Sequence, residues 1–158
     1  MKRSVPGKKL RKNTVTGKEV KESTLGRVPN AAKLNGQPAS AYATAQPIER
    51  KVVGAPGEPP FENGWSASPT DFGPPTFGKD QFGFVHLEGA AVHSGASTET
   101  IFTLPAGYRP ASGLDEDFAV AAFAGNAGTL EVGRGGAVSF VGTGYPFVSL
   151  NGVSFRAG

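Results

Sequence analysis

The sequence predicts an all-β protein whose C-terminal part folds as an antiparallel β-sandwich, and a jelly-roll-like arrangement fits the same pattern. Apolar and polar side chains alternate from Val85 to Glu88 and again from Thr100 to Leu104, as in half-buried strands. Turns rich in Gly and Pro separate short apolar segments throughout residues 81–158, and no helical periodicity interrupts them. Closely spaced strands of this kind are typical of antiparallel sandwiches.

The aromatic residues place the hydrophobic core after residue 60. The chain has 158 residues, a length typical of about one domain, with eleven Phe, three Tyr and one Trp. Of these fifteen aromatics, only Tyr42 precedes Phe61. A β domain of this size can fold alone, but its core is small enough that oligomerisation would help to stabilise it.

Charge divides the chain at nearly the same place. Residues 1–33 contain ten Lys or Arg and two Glu, a net charge of +8, whereas residues 34–158 contain six basic and eleven acidic residues, a net charge of −5. A basic arm can contact nucleic acid, an anionic surface or an acidic protein groove, or remain a solvated tail, and charge does not choose between them. The expected anchoring residues of the arm, residues 1–12, are Lys2, Arg3, Lys8, Lys9, Arg11 and Lys12.

The sequence argues against a secretory signal peptide and against a membrane-spanning helix. Val5, Pro6, Gly7 and Lys8 stand where a secretory signal peptide needs an apolar run of roughly 7–15 residues. No window approaches the apolar length of a membrane helix, so we expect no membrane insertion. The sequence contains no cysteine, which excludes disulfides and thiolate metal sites.

Residues 13–46 are predicted to form a stalk. A short internal repeat relates residues 12–20 to residues 21–28, and each copy carries too few apolar residues for a core of its own. The alternative is a plain polar linker. Asn30 is placed to cap a short helix through Leu34, which Asn35-Gly36 would end.

The segments between stalk and core are predicted to be irregular. Residues 47–60 contain four Pro and two Gly, which predicts a stiff, extended linker. The folded part, residues 61–158, then opens with Phe61 to Trp65. The segment Ser66 to Lys79 is rich in Pro, Gly and Ser and is predicted to be a surface loop.

Seven strands and two hairpins are predicted in the C-terminal part. Arg134-Gly135-Gly136 is expected to turn between two of these strands, and Asn151-Gly152, the strongest two-residue hairpin signal, between the last two. The predicted strands are Gly83–Val92, Thr98–Leu104, Phe118–Ala124, Thr129–Val132, Ala137–Val141, Phe147–Leu150 and Val153–Phe155.

Several motifs resemble those of phage tail fibres. Residues 30–42 read Asn-Ala-x-x-Leu-Asn-Gly-x-x-Ala-Ser-x-Tyr, which is similar to a motif of trimeric fibre shafts. Residues 63–65, 79–89, 102–110 and 148–157 follow in the order seen in fibre tip domains. The resemblance implies a homotrimeric fibre or spike of a phage-like particle, located in the virion, with a knob used for attachment.

No catalytic, metal or cofactor site is predicted. His86 and His93 have an odd spacing, which puts them on opposite faces of a regular strand and argues against a two-histidine metal site. No spacing argument pairs two carboxylates across a cleft, and no serine lies in a Gly-x-Ser-x-Gly context. Residues 133–136 form a Gly-rich segment without a following helix, which argues against a nucleotide loop. We therefore predict that the protein is not an enzyme.

Loop residues with stacking faces and directional hydrogen bonds are the candidates for ligand binding. They are Trp65, Asn126, Arg134 and Tyr145. Packing inside the domain is the competing role for Trp65. The expected partners are two further copies of the chain, other virion proteins at the arm, and a host surface glycan or protein.

Three other functions remain open at this point. A head fibre that decorates a capsid without binding a receptor, or a cellular carbohydrate-binding or adhesion module, fits the same pattern. A basic arm that binds nucleic acid is the third, and the stalk repeat and fibre motif argue against it because a nucleic-acid binder needs no stalk.

Overall fold

The structure is a computed structural model that describes residues 11–12, 33–34, 37–38, 42, 46–97, 99–141 and 145–158. The contacts divide the chain into two compact units, Met1–Thr44 and Ala45–Gly158. The stalk repeat of residues 13–28 and most of the basic arm lie outside the described residues. In the part of the chain that is described, no helix is long and apolar enough to cross a membrane.

The first unit contains a short antiparallel ladder. Strands β1 (Lys33–Leu34) and β2 (Gln37–Pro38) pair, with Lys33 opposite Pro38 and Leu34 opposite Gln37. The helix expected to run through Leu34 is therefore replaced there by a strand. The Asn-Gly dipeptide between the two strands also favours a two-residue hairpin connection, which accounts for the difference.

The second unit is built from antiparallel strands, which confirms the all-β sandwich. Three sheets have the strand orders β8-β11-β10-β9, β12-β7-β4 and β13-β6-β5-β3. The strands are β3 (Lys51–Val52), β4 (Trp65–Ala67), β5 (Thr76–Lys79), β6 (Phe84–Glu88), β7 (Ala90–Ser97), β8 (Thr100–Thr103), β9 (Glu116–Ala121), β10 (Ala127–Val132), β11 (Ala137–Val141), β12 (Tyr145–Ser149) and β13 (Val153–Arg156).

Aromatic contacts show which sheets face each other. Phe77 of β5 stacks on Phe102 of β8 with ring centroids 6.5 Å apart, and Phe118 of β9 meets Phe155 of β13 at 6.2 Å. The sheet β13-β6-β5-β3 therefore packs on the sheet β8-β11-β10-β9. A single cluster of buried apolar side chains from all three sheets forms the core.

Two segments predicted to be irregular contribute to this core. Within residues 47–60, the expected linker, strand β3 pairs with β5 and Val53 is buried. Within the loop expected from Ser66 to Lys79, strand β5 carries the fully buried Phe77. The Pro and Gly residues that flank these strands predict irregular structure. Each strand has only one or two inward-facing apolar residues, which are too few to show an alternating pattern in the sequence.

The predicted hairpin at Arg134-Gly135-Gly136 is confirmed. Strands β10 and β11 pair from Val132 opposite Val138 onward, and the turn is closed by a 2.7 Å hydrogen bond from Gly136 N to Gly133 O. Strand β6 is confirmed as half-buried, with its side chains alternating between buried and less buried positions.

The hairpin predicted at Asn151-Gly152 is wrong in its strand pairing. Strand β12 pairs with β7 and strand β13 pairs with β6, so the two strands that flank the turn belong to different sheets. The predicted strand Gly83–Val92 is likewise two strands that meet at Gly89, whose φ is +86°. Gly89 O accepts a 2.8 Å hydrogen bond from Leu150 N, and Gly89 N donates at 2.7 Å to Asn151 Oδ1. Both chain segments therefore change sheet at the same corner.

Candidate functional site

A shallow groove lies beside the hairpin that joins β9 to β10. Its volume is about 320 Å³, and it is lined by Ala119, Val120, Ala121, Gly125, Asn126 and Ala127. The loop is closed by a 2.7 Å hydrogen bond from Ala122 N to Asn126 O. A short 3-10 turn, Phe123–Gly125, forms the tip of the loop.

The groove is lined by both strands of the hairpin, at the side of a sheet. Strand β9 is the outer strand of the order β8-β11-β10-β9, and it pairs along its length with β10. Ala119 and Ala121 of β9 are exposed, as is Ala127 of β10, which pairs with Ala121, so the groove lies on the exposed face of the hairpin, next to the outer strand of the sheet. The edge ends at Ala122, which forms an isolated bridge with Val148.

The loop tip holds an unusual backbone conformation. Ala124 has φ +57° and ψ +29°, in the left-handed region that non-glycine residues rarely adopt. Asn126 Nδ2 donates a 2.8 Å hydrogen bond to Phe123 O, which ties the two ends of the turn together. The side chain of Phe123 is 52% exposed at this tip. Non-glycine residues held in the left-handed region cluster at functional sites.

Phe123 was missed as a candidate from the sequence. The prediction of a strand from Phe118 to Ala124 made it one more strand residue, whereas β9 ends at Ala121. The Gly125-Asn126 pair is a turn signal that could have ended the strand earlier.

Of the four predicted ligand-binding residues, Asn126 lines the groove and Tyr145 begins the neighbouring strand β12. Strand β12 as a whole contacts both β9 and the 3-10 turn. The side chain of Tyr145 lies outside the described part of the structure. The other two residues lie elsewhere.

Trp65 and Arg134 do not line the groove. Trp65 is 3% exposed, and its ring lies 5.4 Å from that of His93. Its Nε1 is buried and has no hydrogen-bond partner among the described residues. Arg134 is exposed in the β10–β11 turn, at the opposite end of β10 from Asn126, and its backbone N donates to Asp115 Oδ1 at 2.9 Å.

The β5–β6 turn contains a carboxylate with three hydrogen-bond contacts. Asp80 Oδ1 accepts hydrogen bonds from Phe82 N and Phe84 N, each 2.9 Å long, and Asp80 Oδ2 lies 3.0 Å from His86 Nε2. The bond to His86, followed by the backbone bond from Phe84, lowers the pKa of Asp80. These contacts brace a turn, and they use the carboxylate oxygens that a ligand would need.

An ion pair lies at the β3 edge of the same sheet. Lys51 Nζ donates to Glu58 Oε1 at 2.7 Å, and this hydrogen bond raises the pKa of Lys51. Both side chains are part-buried and both residues lie in the segment 47–60, so this pair closes a turn within the segment.

The histidines have structural contacts. His86 pairs with Asp80, and His93 Nε2 lies 3.1 Å from Asn63 O. Within the described ranges, no three His, Cys, Asp or Glu side chains gather as a metal site would require.

In fold, the chain is similar to a phage receptor binding protein. The crystal structure of the receptor binding protein (gp15) of Listeria phage PSA matches 72% of this chain and 67% of that chain, with a TM-score of 0.59 and 19% sequence identity. At this identity the likeness shows a common fold. No family model matches the sequence, and no curated protein matches it.

Proposed function

We propose that this protein attaches a phage or phage-like particle to the surface of its host. The observation that carries the proposal is the shared fold with a phage receptor binding protein, which extends over 72% of the chain. The fibre-like motifs at residues 30–42 and 148–157 give independent support from the sequence. The contact with the host is assigned to Ala45–Gly158, because this unit contains the core and the exposed groove.

The proposed assembly is a homotrimer with the basic arm as its anchor. Each copy has few apolar residues in residues 13–46, and these are best buried against the same residues of two other copies. Phe72 is 51% exposed and meets Phe147 edge to face at 5.3 Å, an apolar surface pair that a neighbouring copy would cover. Three copies would also convert weak contacts with a surface into firm attachment through effective concentration.

A cell-binding assay tests the attachment. Fluorescently labelled full-length protein is incubated with a panel of bacterial strains, and bound fluorescence is measured with and without excess unlabelled protein. We expect saturable, competed binding to a subset of strains. Binding that is equal on all strains and is not competed would contradict a receptor-specific role.

Light scattering tests the assembly separately. The full-length protein is measured at several concentrations, with an expected mass three times the 16.2 kDa of the chain. A monomeric mass at micromolar concentration would overturn the trimer while leaving attachment to be judged by the cell assay.

A further inference from the structure

We propose that the groove beside the β9–β10 loop binds an uncharged sugar unit of the host surface, with Phe123 and Asn126 as its contacts. This inference rests on the proposed attachment function and assigns that function a site and a ligand class. It combines the chemistry of the groove lining, the open strand edge and the fixed loop tip.

The lining carries no charged side chain. It consists of alanine and valine side chains, one glycine and the amide of Asn126. The nearest charged groups along the strand are Glu116 and Asp117, which are acidic, and residues 34–158 together carry a net charge of −5. An anionic ligand such as a phosphate-bearing polymer would meet repulsion here, and a cation would find no carboxylate in the lining. The groove therefore suits a neutral ligand.

The surface of the groove, like that of a sugar, presents both apolar and hydrogen-bonding groups. The alanine methyl groups offer an apolar floor for the C–H face of a pyranose ring, and the aromatic face of Phe123 lies exposed on the adjoining loop. The outer edge of β9 supplies backbone N–H and C=O groups that pair with no other strand in the described part of the chain before Ala122. Sugar hydroxyls both donate and accept, so they can satisfy either kind of backbone group.

An extended peptide fits the same edge less well. Addition of a strand to a sheet relies on a run of backbone hydrogen bonds along the edge. Here the groove spans only Ala119 to Ala121 and the Ala122–Val148 bridge closes the edge beyond it, so an added strand would have to continue along β9 towards the acidic Glu116 and Asp117 to gain such a run. The volume of about 320 Å³ is near the lower end of ligand pockets, which suits roughly one or two sugar rings.

The loop tip is fixed before any ligand arrives. The bond from Asn126 Nδ2 to Phe123 O holds the turn in which Ala124 adopts its left-handed conformation. The Oδ1 atom of Asn126 accepts no hydrogen bond from the described residues and can accept one from a hydroxyl group. A preorganised turn and amide lose little conformational freedom on binding, which favours affinity in a shallow site.

Two groove variants of the full-length protein test the site. Phe123→Ala removes the exposed ring, and Ala121→Leu fills the groove from an exposed strand position. The matched controls are Phe82→Ala, which removes a ring that is 62% exposed in another turn, and Ala106→Leu, at an exposed turn position outside the groove. Thermal melting confirms that all four variants remain folded.

The first readout is binding to the strains that the wild-type protein binds. We expect Phe123→Ala to weaken binding roughly fivefold to tenfold and Ala121→Leu to weaken it more, while both controls bind as the wild type does. Periodate oxidation of the cells should abolish binding, and protease treatment should leave it intact. Unchanged binding by the two groove variants overturns the site. Loss of binding on protease treatment alone overturns the sugar and favours a protein receptor.

The second readout separates the sugar from the attachment. Saturation-transfer NMR is recorded with the methyl glycosides of glucose, galactose, rhamnose and N-acetylglucosamine, and the groove variants are compared with the controls. If the wild-type protein gives an NMR signal with a glycoside that the groove variants lose, and the wild-type protein binds no cells, the sugar site is supported and the attachment function is rejected. If the wild-type protein binds cells and the groove variants bind them equally well, the sugar site is rejected and the proposed function is retained. If neither cells nor glycosides bind, both proposals are rejected.

Discussion

Gly89 is the position at which a single methyl group should damage the fold most specifically. The residue lies at the corner between β6 and β7 with φ +86°. A Cβ atom built on it would overlap the backbone carbonyl of Pro74, which cannot move aside as a flexible side chain could. We therefore expect Gly89→Ala to destabilise the unit through both backbone strain and a steric clash.

The magnitude follows from these two causes. Placing an L-residue in the left-handed region costs about 1–2 kcal/mol, and overpacking against fixed atoms adds about 1–3 kcal/mol. The free energy of unfolding should therefore fall by about 2–5 kcal/mol, a large part of the ~5–15 kcal/mol of a typical domain. The loss of chain entropy in the unfolded state on replacing glycine by alanine opposes this effect by roughly 0.4–1 kcal/mol.

Gly83→Ala is the matched control. Gly83 has the same φ of +86°, and a Cβ atom there would meet nothing within 4 Å. The strain and the unfolded-state effect are common to both variants, so the difference between them isolates the clash with Pro74. The control should lose no more than about 1–2 kcal/mol.

Urea denaturation measures both variants. The only Trp, Trp65, is buried in the folded state and reports unfolding by fluorescence. Protein concentration is held constant because assembly would otherwise shift the midpoint. Equal destabilisation by Gly89→Ala and Gly83→Ala would refute the argument that Pro74 crowds this corner.

The remaining predictions concern the core, pH and a buried donor. Phe77→Ala should lower the free energy of unfolding by about 3–5 kcal/mol in urea denaturation, because Phe77 is fully buried against Phe102; a loss as small as that of the exposed Phe82→Ala would contradict its place in the core. The lowered pKa of Asp80 adds stability that is present above its unfolded pKa of about 3.8 and is lost as pH falls through the folded value. The melting temperature of Asp80→Asn should accordingly depend less on pH between pH 2 and 5 than that of the wild type, and parallel profiles would argue against the His86 contact. Trp65→Phe should lower the melting temperature less than Phe77→Ala does, because it leaves a smaller cavity and removes a buried donor that has no partner among the described residues; a loss as large as that of Phe77→Ala would argue against an unpaired Nε1.

The groove shows how far residue types alone can lead to a site. Asn126 was predicted as a ligand-binding residue because an amide in a loop offers directional hydrogen bonds, and it does line the groove. The same reasoning chose Trp65, which is buried, and Arg134, which lies at the far end of β10. Exposure and position depend on which strands meet, and a list of suitable side chains does not contain that information. For the same reason Phe123 was assigned to a strand, although its ring is half exposed at the loop tip.

Local pattern was sufficient for the class of fold and for the hairpin between β10 and β11. The alternation that buries Val85 and Leu87 is a property of neighbouring residues, and so is the turn preference of Gly135-Gly136. Strand pairing was decided only by the tertiary structure. The turn at Asn151-Gly152 forms, yet its two strands pair in different sheets because Gly89 turns the partner chain at the same corner. A strand can pair with any partner that completes its hydrogen bonds and covers its apolar face. Contacts between residues far apart in the sequence determine which partner it pairs with.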